Sequence, residues 1–293
     1  MILITGSTGF VGKNLTKHLQ AKHFELKAYI RSKPIDFTTC EIIVHLAGKA
    51  HDLKNVADPK AYYEANFELT KRLYDAFIQS SATKFIFISS VKASADEVHG
   101  VLTEDDIPNP QTHYGKSKRM AEEYIQSISL PAGKSYFILR PCMIHGPGNK
   151  GNLNLLYKLV SKGLPWPLGA FENERSFCSI DNLMFIIKEL LERENIPSGV
   201  YNVADNQPIS TNSLIKLIAA SINKNGKIID ISPSIISLIA KFGDLIKLPL
   251  NSERLDKLTQ NYIVSNQKLL NAIGKDLPVN AVDGMKNTLR SFN

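Results

Sequence analysis

Cysteine and tryptophan are scarce in this sequence. Its 293 residues include three cysteines and one tryptophan. Cys40, Cys142 and Cys178 lie far apart and form no CxxC pair, so the sequence predicts neither a disulfide framework nor a metal site. Unpaired cysteines of this kind are typical of a protein in a reducing compartment.

Long uninterrupted apolar runs are also missing. The longest apolar stretch of the second half, SIISLIAKFGDLIKLPL from Ser234, contains Lys241, Asp244 and Lys247, and it is too charged and too short to span a bilayer. It predicts an amphipathic helix that is broken near Gly243 and packed on its own domain, with membrane contact as the lesser alternative and no stable membrane insertion. At the amino terminus MILITG is typical of a strand, with no signal-peptide n-region before it. We therefore expect a cytoplasmic protein.

Positive charge is in excess but is not concentrated. The formal net charge is +7, yet the lysines are scattered along the chain and no nucleic-acid recognition motif accompanies them. The sequence therefore predicts no nucleic-acid partner. An anion such as a nucleotide diphosphate fits this charge better.

Apolar runs and helical patterns fill the first half of the chain. The runs ILITG, ELKAYI, EIIVHLAG, KFIFISS and YFILRP occur among helical patterns at residues 11–21, 61–80 and 114–129. Continuous apolar strands with helices between them predict an α/β doubly wound parallel sheet. From Gly146 glycine and proline become frequent. We expect a first domain over 1–145, to which the chain returns around 177–204, and a smaller mixed domain over 146–293.

Three glycines follow the first predicted strand. In TGSTGFVG, Gly6, Gly9 and Gly12 lie between that strand and a helix, where close-packed glycines and a helix N-terminus can receive a pyrophosphate. The pattern predicts a dinucleotide-binding turn. It does not predict a phosphate-transfer loop, because Ser7 and Asn14 occupy positions that need a glycine and a serine or threonine.

The end of the second strand carries basic residues. A site that prefers NAD has an acidic residue here, which hydrogen-bonds the adenosine ribose. This sequence instead has Arg31, Ser32 and Lys33, which favour a 2′-phosphate. NADP(H) is therefore favoured as the cofactor. NAD(H) stays open, because Arg31 can also stack on adenine.

Tyr114 and Lys118 open the helix predicted at residues 114–129. Side chains four residues apart share one helix face, so the lysine can stabilise a tyrosinate and make the phenol a general acid and base near neutral pH. Tyr29 and Lys33 have the same spacing, but they lie at a strand end where no helix aligns them. Only the first pair is therefore predicted to be catalytic.

A second hydroxyl group is needed to hold the substrate oxygen. The run FIFISSV supplies Ser89 and Ser90 at the C-terminal end of a parallel strand, where such folds place ligands. Three separate segments thus supply candidate residues for one site.

Together, TGSTGFVG, VHLAG, the Asn66 of YYEANFELTK, FISSV and YGKSK resemble the extended short-chain dehydrogenase/reductase family, in particular its nucleotide-sugar epimerases and reductases. The resemblance covers essentially the whole chain. The segments LRPCMIHGPGNKGNLNLL, PLGAFENERSFCSIDNL and NSERL resemble the substrate-domain signatures of enzymes that act on UDP-N-acetylhexosamines in surface-polysaccharide synthesis. The resemblance implies a Rossmann fold, a substrate-binding C-terminal domain, a UDP-sugar substrate and a homodimer formed through the helices near Ala61 and Tyr114.

The resemblance also implies roles for individual residues. Tyr114 would be the general acid and base, Lys118 would also hydrogen-bond the nicotinamide ribose, and Ser90 would orient the sugar oxygen. Asn66 is expected to brace the helix beside the site. The expected cofactor contacts are Gly6, Gly9, Phe10, Val11, Gly12, Arg31, Leu46, Ala47, Gly48, Tyr114 and Lys118. The expected substrate contacts are Ser90, Lys92, Asn152, Arg175 and Arg254, with His113 and Asn154 as further candidates.

Two departures from the family pattern bear on the reaction. The span between the second strand and EIIVHLAG is short, so the third strand and its helix must be abbreviated. The ribose-binding acid is missing, which favours a reductase that consumes NADPH over an epimerase that keeps NAD tightly bound. We expect hydride transfer from NADPH to C4 of a UDP-4-keto-6-deoxy-N-acetylhexosamine. The alternatives are a 4-epimerase of UDP-glucose or UDP-N-acetylglucosamine and, from another class, a non-catalytic NADP-sensing regulator.

Overall fold

The computed structural model describes residues 1–29, 37–49, 58–149, 151–246 and 251–292. The strands of this part of the chain are β1 (Ile2–Thr5), β2 (Leu26–Ala28), β3 (Ile42–His45), β4 (Lys84–Ile88), β5 (Val101–Leu102), β6 (Ser135–Pro141), β7 (Met143–His145), β8 (Phe177–Ser179), β9 (Gly199–Val203) and β10 (Ile263–Val264).

Helices connect these strands. They are α1 (Phe10–Gln20), α2 (Pro59–Tyr63), α3 (Leu69–Gln79), α4 (His113–Ser127), α5 (Asn152–Ser161), α6 (Ile180–Glu192), α7 (Thr211–Ser221), α8 (Pro233–Ile246), α9 (Ser252–Thr259), α10 (Gln267–Ile273) and α11 (Ala281–Arg290). A π-helical turn, Glu64–Glu68, joins α2 to α3, and a 3₁₀ turn, Val91–Ala93, follows β4.

Six parallel strands form the central sheet in the order β2-β1-β3-β4-β6-β9. The strands β1 and β4 are buried along their whole length, as expected for continuous apolar runs covered on both faces. The doubly wound α/β fold predicted from the sequence is confirmed. Strand β9 pairs with β6 at one edge of this sheet.

Three clusters of buried side chains hold the molecule together. One joins β1 and β4 to α1 and α6, and another joins β3 and β4 to α3 and α4 on the opposite face. The third lies in the C-terminal half and joins α5, α7, α8, α9 and α11. The buried Lys84 at the start of β4 fixes the end of α6, since its Nζ donates to the carbonyls of Leu191 (3.0 Å) and Arg193 (2.9 Å).

The structure differs from the sequence-based prediction in two helices. The helix expected at 61–80 is interrupted by the π-helical turn at Glu64–Glu68. The break expected near Gly243 is wrong, because α8 continues to Ile246; one glycine costs a helix only about 1 kcal/mol, and packing of Ile236 and Ala240 on the C-terminal cluster offsets that cost. Among the described residues no helix has the length and apolarity needed to cross a membrane.

Candidate active site

The glycine turn at residues 6–12 packs tightly against the end of β3. Gly6 has a φ of +68°, a left-handed conformation that favours glycine, and a Cβ on it would lie 2.7 Å from the backbone nitrogen of Ala47. A Cβ on Gly12 would lie 2.1 Å from the carbonyl oxygen of Gly6. The cap residue Gly9 provides no side-chain hydrogen bond to the start of α1, so the first N–H groups of that helix suit an anion.

The expected cofactor residues Leu46, Ala47 and Gly48 follow β3 and border this turn. Leu46 donates its N–H to the carbonyl of Thr5 (3.3 Å). A Cβ on Gly48 would lie 3.2 Å from the Nζ atom of Lys118. The segment after β3 therefore reaches from the glycine turn to the catalytic lysine candidate.

A buried hydrogen-bond chain supports the end of β3. It was not predicted from the sequence. Thr5 Oγ1 accepts from the N–H of Ala47 (3.0 Å) and lies 2.6 Å from His45 Nδ1. His45 Nε2 lies 2.9 Å from Thr70 Oγ1, whose proton goes to the carbonyl of Asn66 (2.7 Å). His45 must then donate from Nε2, and a neutral ring accepts at Nδ1 from the Thr5 hydroxyl. Burial agrees with this assignment, because it lowers the pKa of His45 to about 3.

Asn66 connects the end of β3 to α4. Its Nδ2 donates to the carbonyl of Lys49 (3.1 Å) and to the hydroxyl of Ser117 (3.0 Å), and its Oδ1 accepts from the N–H of Lys49 (2.8 Å). The residue lies in the π-helical turn, an irregularity that often occurs at functional sites. These contacts fit the bracing role expected for Asn66.

Helix α4 places Tyr114 and Lys118 one turn apart. Thr112 caps this helix by accepting from the N–H of Gly115 (3.1 Å). The Lys118 side chain is buried; its Nζ donates to the carbonyl of Ile88 (2.8 Å) and lies 4.7 Å from the ring centroid of Phe87. The lysine is thereby fixed against the C-terminal end of β4.

Burial controls the acid–base properties of this pair. Burial raises the pKa of the Tyr114 phenol, a hydrogen bond with Ser90 lowers it, and Tyr62 raises it. The net direction is opposite to the lowering that the sequence predicted, because desolvation of the phenolate outweighs its stabilisation. Burial also lowers the pKa of Lys118 to about 8, against the opposing effect of Glu122. Near neutral pH the phenol is protonated and the lysine is mostly charged.

The two serines after β4 have different partners. Ser89 donates to Oε1 of the buried Glu122 (2.5 Å), which also pairs with Arg140 (2.6 Å). Ser90 instead hydrogen-bonds Tyr114, and its Oγ accepts from the N–H of Lys92 (3.2 Å). Ser90 therefore lies beside the phenol, whereas Ser89 belongs to a buried ionic network.

Two of the expected substrate residues meet at one aromatic ring. Lys92 Nζ lies 4.3 Å and Arg175 Cζ lies 5.9 Å from the ring centroid of Tyr262. Arg175 Nη1 also donates to the carbonyls of Lys257 (2.9 Å) and Gln260 (3.2 Å) at the end of α9. Burial lowers the pKa of both cations, that of Lys92 to about 8. An anion near them would offset this desolvation and their mutual repulsion.

The remaining expected residues are placed differently. Arg254 lies on α9, the helix whose end holds Arg175, and its N–H is bound by the Asn251 cap (2.9 Å). Asn154 Oδ1 accepts from the N–H of Gly151 (2.9 Å), so its side chain serves to cap α5. His113 is exposed and lies 3.1 Å from the hydroxyl of Tyr63.

Two expected residues fall outside what the structure describes. Asn152 begins α5, but the placement of its side chain is not described. Arg31 lies in the segment 30–36, which is outside the described residues. Neither Tyr262 nor the Thr5–His45–Thr70 chain was predicted from the sequence. Only the VHLAG motif carried a signal for His45, and no local pattern connects Tyr262 with Arg175.

These features fit a dinucleotide cofactor. Side chains at Gly6 and Gly12 would collide with backbone atoms, the first turn of α1 is free of a side-chain cap, and Gly48 lies beside the Nζ atom of Lys118. When bound, such a cofactor would supply hydride transfer at its nicotinamide ring. Gly9, Phe10 and Val11 would border its pyrophosphate, and Lys118 would face its ribose.

Comparisons with known proteins agree with this geometry. A family model described as "NAD dependent epimerase/dehydratase family" matches residues 2–204. A UDP-glucose 4-epimerase of Vibrio cholerae is 31% identical to this chain. The similarity covers 99% of this chain and 95% of the epimerase. An N-acetyl-α-D-glucosaminyl-diphospho-ditrans,octacis-undecaprenol 4-epimerase of Escherichia coli O157:H7 is 30% identical. This similarity covers 76% of this chain and 72% of the length of that enzyme. The solved structure of RMD from Pseudomonas aeruginosa complexed with NADPH has the same fold, with a TM-score of 0.75, 21% identity and coverage of 100% of this chain and 99% of its own.

Proposed function

Because the chain belongs to the NAD-dependent epimerase/dehydratase family and is similar to sugar 4-epimerases, we propose that it transfers hydride at C4 of a UDP-linked hexose or N-acetylhexosamine. The observation that carries the proposal is the Tyr114–Lys118 pair, with the lysine buried, the phenol half-buried and Ser90 against the phenol. A regulator that only senses the cofactor does not need these three side chains together.

Each residue of the pair has a distinct chemical task. Tyr114 takes the proton of the C4 hydroxyl when that carbon is oxidised and gives it back to the C4 oxygen when the ketone is reduced. Lys118, held by the carbonyl of Ile88, stabilises negative charge on this oxygen with its ammonium group. Ser90 donates to the same oxygen and fixes its position.

Substrate binding belongs to the second half of the chain. The cationic pair Lys92 and Arg175 on Tyr262 suits a diphosphate, with Arg254 of α9 as a further contact. Lys92 is linked to Ser90 through its backbone N–H, so this pair lies next to the proposed site of proton transfer. We propose residues 146–293 as mainly the substrate domain, apart from the return of β9 to the sheet.

A 4-epimerase is the first candidate reaction. Similarity to the Vibrio cholerae UDP-glucose 4-epimerase extends over almost the whole of both chains, including the substrate half. In this reaction the C4 hydroxyl is oxidised and the resulting ketone is reduced from its other face, so a single acid–base residue, Tyr114, serves both steps.

A 4-ketoreductase is the second candidate. Arg31, Ser32 and Lys33 replace the acidic residue typical of NAD sites, which favours NADPH and a UDP-4-keto-6-deoxy-N-acetylhexosamine as the substrate. Only the sequence supports this preference for NADPH. The full-length similarity to an epimerase therefore takes precedence in our proposal.

One experiment separates the two reactions. Purified protein is incubated with UDP-glucose or UDP-N-acetylglucosamine without added cofactor, and in parallel with the keto sugar and either NADPH or NADH. Interconversion of the 4-epimers without added cofactor supports the epimerase. Stoichiometric loss of NADPH with the keto sugar supports the reductase.

Two tyrosine variants on α4 test the site. Tyr114→Phe is expected to lower kcat by about 10²–10⁴-fold. Tyr124→Phe on the same helix, which removes a hydroxyl that hydrogen-bonds Asp75 of α3, is expected to stay within about twofold. Equal turnover by wild type and Tyr114→Phe would contradict the proposal and support a non-catalytic regulator.

The assembly is proposed to be a homodimer. Helices α2 and α4 contact each other through Tyr62 and Tyr114, and they form the surface through which we expect two copies to meet. Light scattering on the purified protein measures its mass, and a monomer at all concentrations would contradict this part of the proposal.

A further inference from the structure

Tyr262, which precedes β10, is hydrogen-bonded to the segment that carries Arg175. Its carbonyl accepts from the N–H of Ser176 (2.9 Å), and its N–H donates to the carbonyl of Glu174 (2.8 Å). The residues on both sides of Arg175 are therefore bound to this one tyrosine. Tyr262 is 6% exposed, so its ring is packed inside the molecule and has a fixed position.

The hydroxyl of Tyr262 is bound to a second segment, which carries Lys92. It donates to the carbonyl of Ala95 (2.7 Å). Burial raises the pKa of this phenol, so the hydroxyl keeps its proton for that hydrogen bond. Lys92 lies three residues before Ala95, in the 3₁₀ turn that Ser90 caps. Tyr262 thus joins the segment of Arg175 to the segment of Lys92.

The ammonium group of Lys92 is partly withdrawn from water. Its Nζ lies 4.3 Å from the ring centroid of Tyr262 and donates to the carbonyl of Asp96 (2.8 Å). An aromatic ring attracts a desolvated cation more strongly than a hydrated one. Arg175 is farther from the same centroid, at 5.9 Å, and two carbonyls at the end of α9 hold it. The ring therefore contributes more to the position of Lys92 than to that of Arg175.

We propose that Tyr262 is a positioning residue, whose ring holds the ammonium group of Lys92 at the diphosphate of the UDP-sugar and beside Ser90. The inference rests on the proposed function, because it takes the substrate to be a nucleotide diphosphate. Without the ring, the long lysine side chain would have to be ordered when the substrate binds, which would weaken binding. The polar groups of Tyr262 are bound within the protein, so it acts through Lys92 and not by contact with the phosphates.

Titration of UDP into the full-length protein measures this role without turnover. Tyr262→Leu removes the ring and is expected to weaken UDP binding by about tenfold. Tyr262→Phe keeps the ring and should stay within about threefold of wild type. The matched control is Tyr201→Leu, which removes another buried tyrosine, whose hydroxyl donates to a carbonyl (2.6 Å) and whose ring lies 5.4 Å from Lys268 Nζ. It should bind UDP like wild type.

A double-mutant cycle tests whether the ring acts through Lys92. Lys92→Met alone should weaken UDP binding by at least about tenfold, because a charged donor to the diphosphate is lost. Addition of Tyr262→Leu should weaken it by no more than about a further threefold, because the group that the ring positions is already gone. In steady-state kinetics Tyr262→Leu should raise KM for the UDP-sugar and leave kcat within about threefold of wild type.

A measurement on the wild-type protein does not depend on the folding of Tyr262→Leu. With lysine labelled with ¹³C at Cε, the signal of Lys92 is assigned by its loss in Lys92→Met. Its Hε protons should lie upfield of those of free lysine, because an aromatic ring shields nuclei that lie over its face.

Four results would overturn the proposal. They are the absence of UDP binding to wild type, equal weakening by Tyr262→Leu and Tyr201→Leu, additive losses in the cycle, and a Lys92 signal at the position of free lysine. Failure of the hydride-transfer proposal would appear instead as the absence of wild-type turnover, which the UDP titration does not measure. The two failures are therefore distinguishable.

Discussion

At the scale of single residues, Ser89 and Ser90 show how neighbours at a strand end take separate tasks. Successive side chains of an extended segment point to opposite sides, and here one serine meets the buried Glu122 while the next meets Tyr114. The sequence supplied both hydroxyls, and the choice of Ser90 came from its position in the family motif. The contacts of both serines support that choice.

Alanine variants of these two serines should separate activity from stability. Ser90→Ala is expected to lower kcat by about 10²–10³-fold, because one donor to the reacting oxygen is lost, with little change in the free energy of unfolding. Ser89→Ala is expected to lower the free energy of unfolding by about 1–3 kcal/mol, because Glu122 loses a buried hydrogen bond. Steady-state kinetics and urea unfolding measure the two effects. The reverse assignment would identify Ser89 as the catalytic serine.

At the scale of elements, the unit formed by β1, the glycine turn and α1 owes its shape to contacts with β3. Gly6 approaches the backbone of Ala47, and Gly12 approaches the carbonyl of Gly6. The sequence predicted these glycines from their position between a strand and a helix. It did not predict the Thr5–His45–Thr70 chain beneath them, because its members come from three elements that only the sheet and α3 bring together.

Glycine substitutions test whether this close approach is required. Gly12→Ala is expected to lower the free energy of unfolding by about 2–3 kcal/mol and to weaken cofactor binding, because its Cβ would meet backbone atoms that cannot move independently. Gly199→Ala in β9 is the matched control, since its Cβ would meet only an atom of Tyr201 at 4.0 Å, and it should be neutral or slightly stabilising. Urea unfolding and a cofactor titration provide the measurements. Equal effects of the two variants would show that the turn tolerates a side chain.

At the scale of the whole molecule, Asp205 connects the sheet to the C-terminal region. It follows β9 and accepts from the N–H of Ser179 (3.0 Å) and from Nδ2 of Asn182 (2.6 Å). Asn182 in turn donates to the carbonyl of Val279 (2.8 Å) and accepts from its N–H (3.1 Å). The start of α6, the end of the sheet and the segment before α11 are thus joined by one buried carboxylate and one buried amide.

Removal of this carboxylate should destabilise the whole chain. Asp205→Ala is expected to lower the free energy of unfolding by about 3 kcal/mol, because buried donors of Ser179 and Asn182 lose their acceptor. The control is Glu192→Ala, which breaks the surface pair with Lys188 and should cost about 0.5 kcal/mol or less. Urea unfolding measures both. Similar losses in the two variants would show that Asp205 is not a central connection.

The sequence by itself determined the elements whose signals are local. Continuous apolar runs between helical patterns determine a parallel sheet, glycines after a strand determine a tight turn, and a four-residue spacing places Tyr114 and Lys118 on one helix face. The resemblance then indicated the family. Propensity and periodicity act over a few residues, so these features can be inferred without coordinates.

Only the tertiary structure decided the features that depend on distant neighbours. Burial, not the nearby lysine, controls the pKa of Tyr114, Tyr262 brings Lys92 and Arg175 together, and packing through Ile236 and Ala240 leaves the other side of α8 exposed. The sequence predicted a break at Gly243 that tertiary packing overrides. Desolvation, ring contacts and exposure are set by residues from several elements, and those neighbours are defined only once the chain has folded.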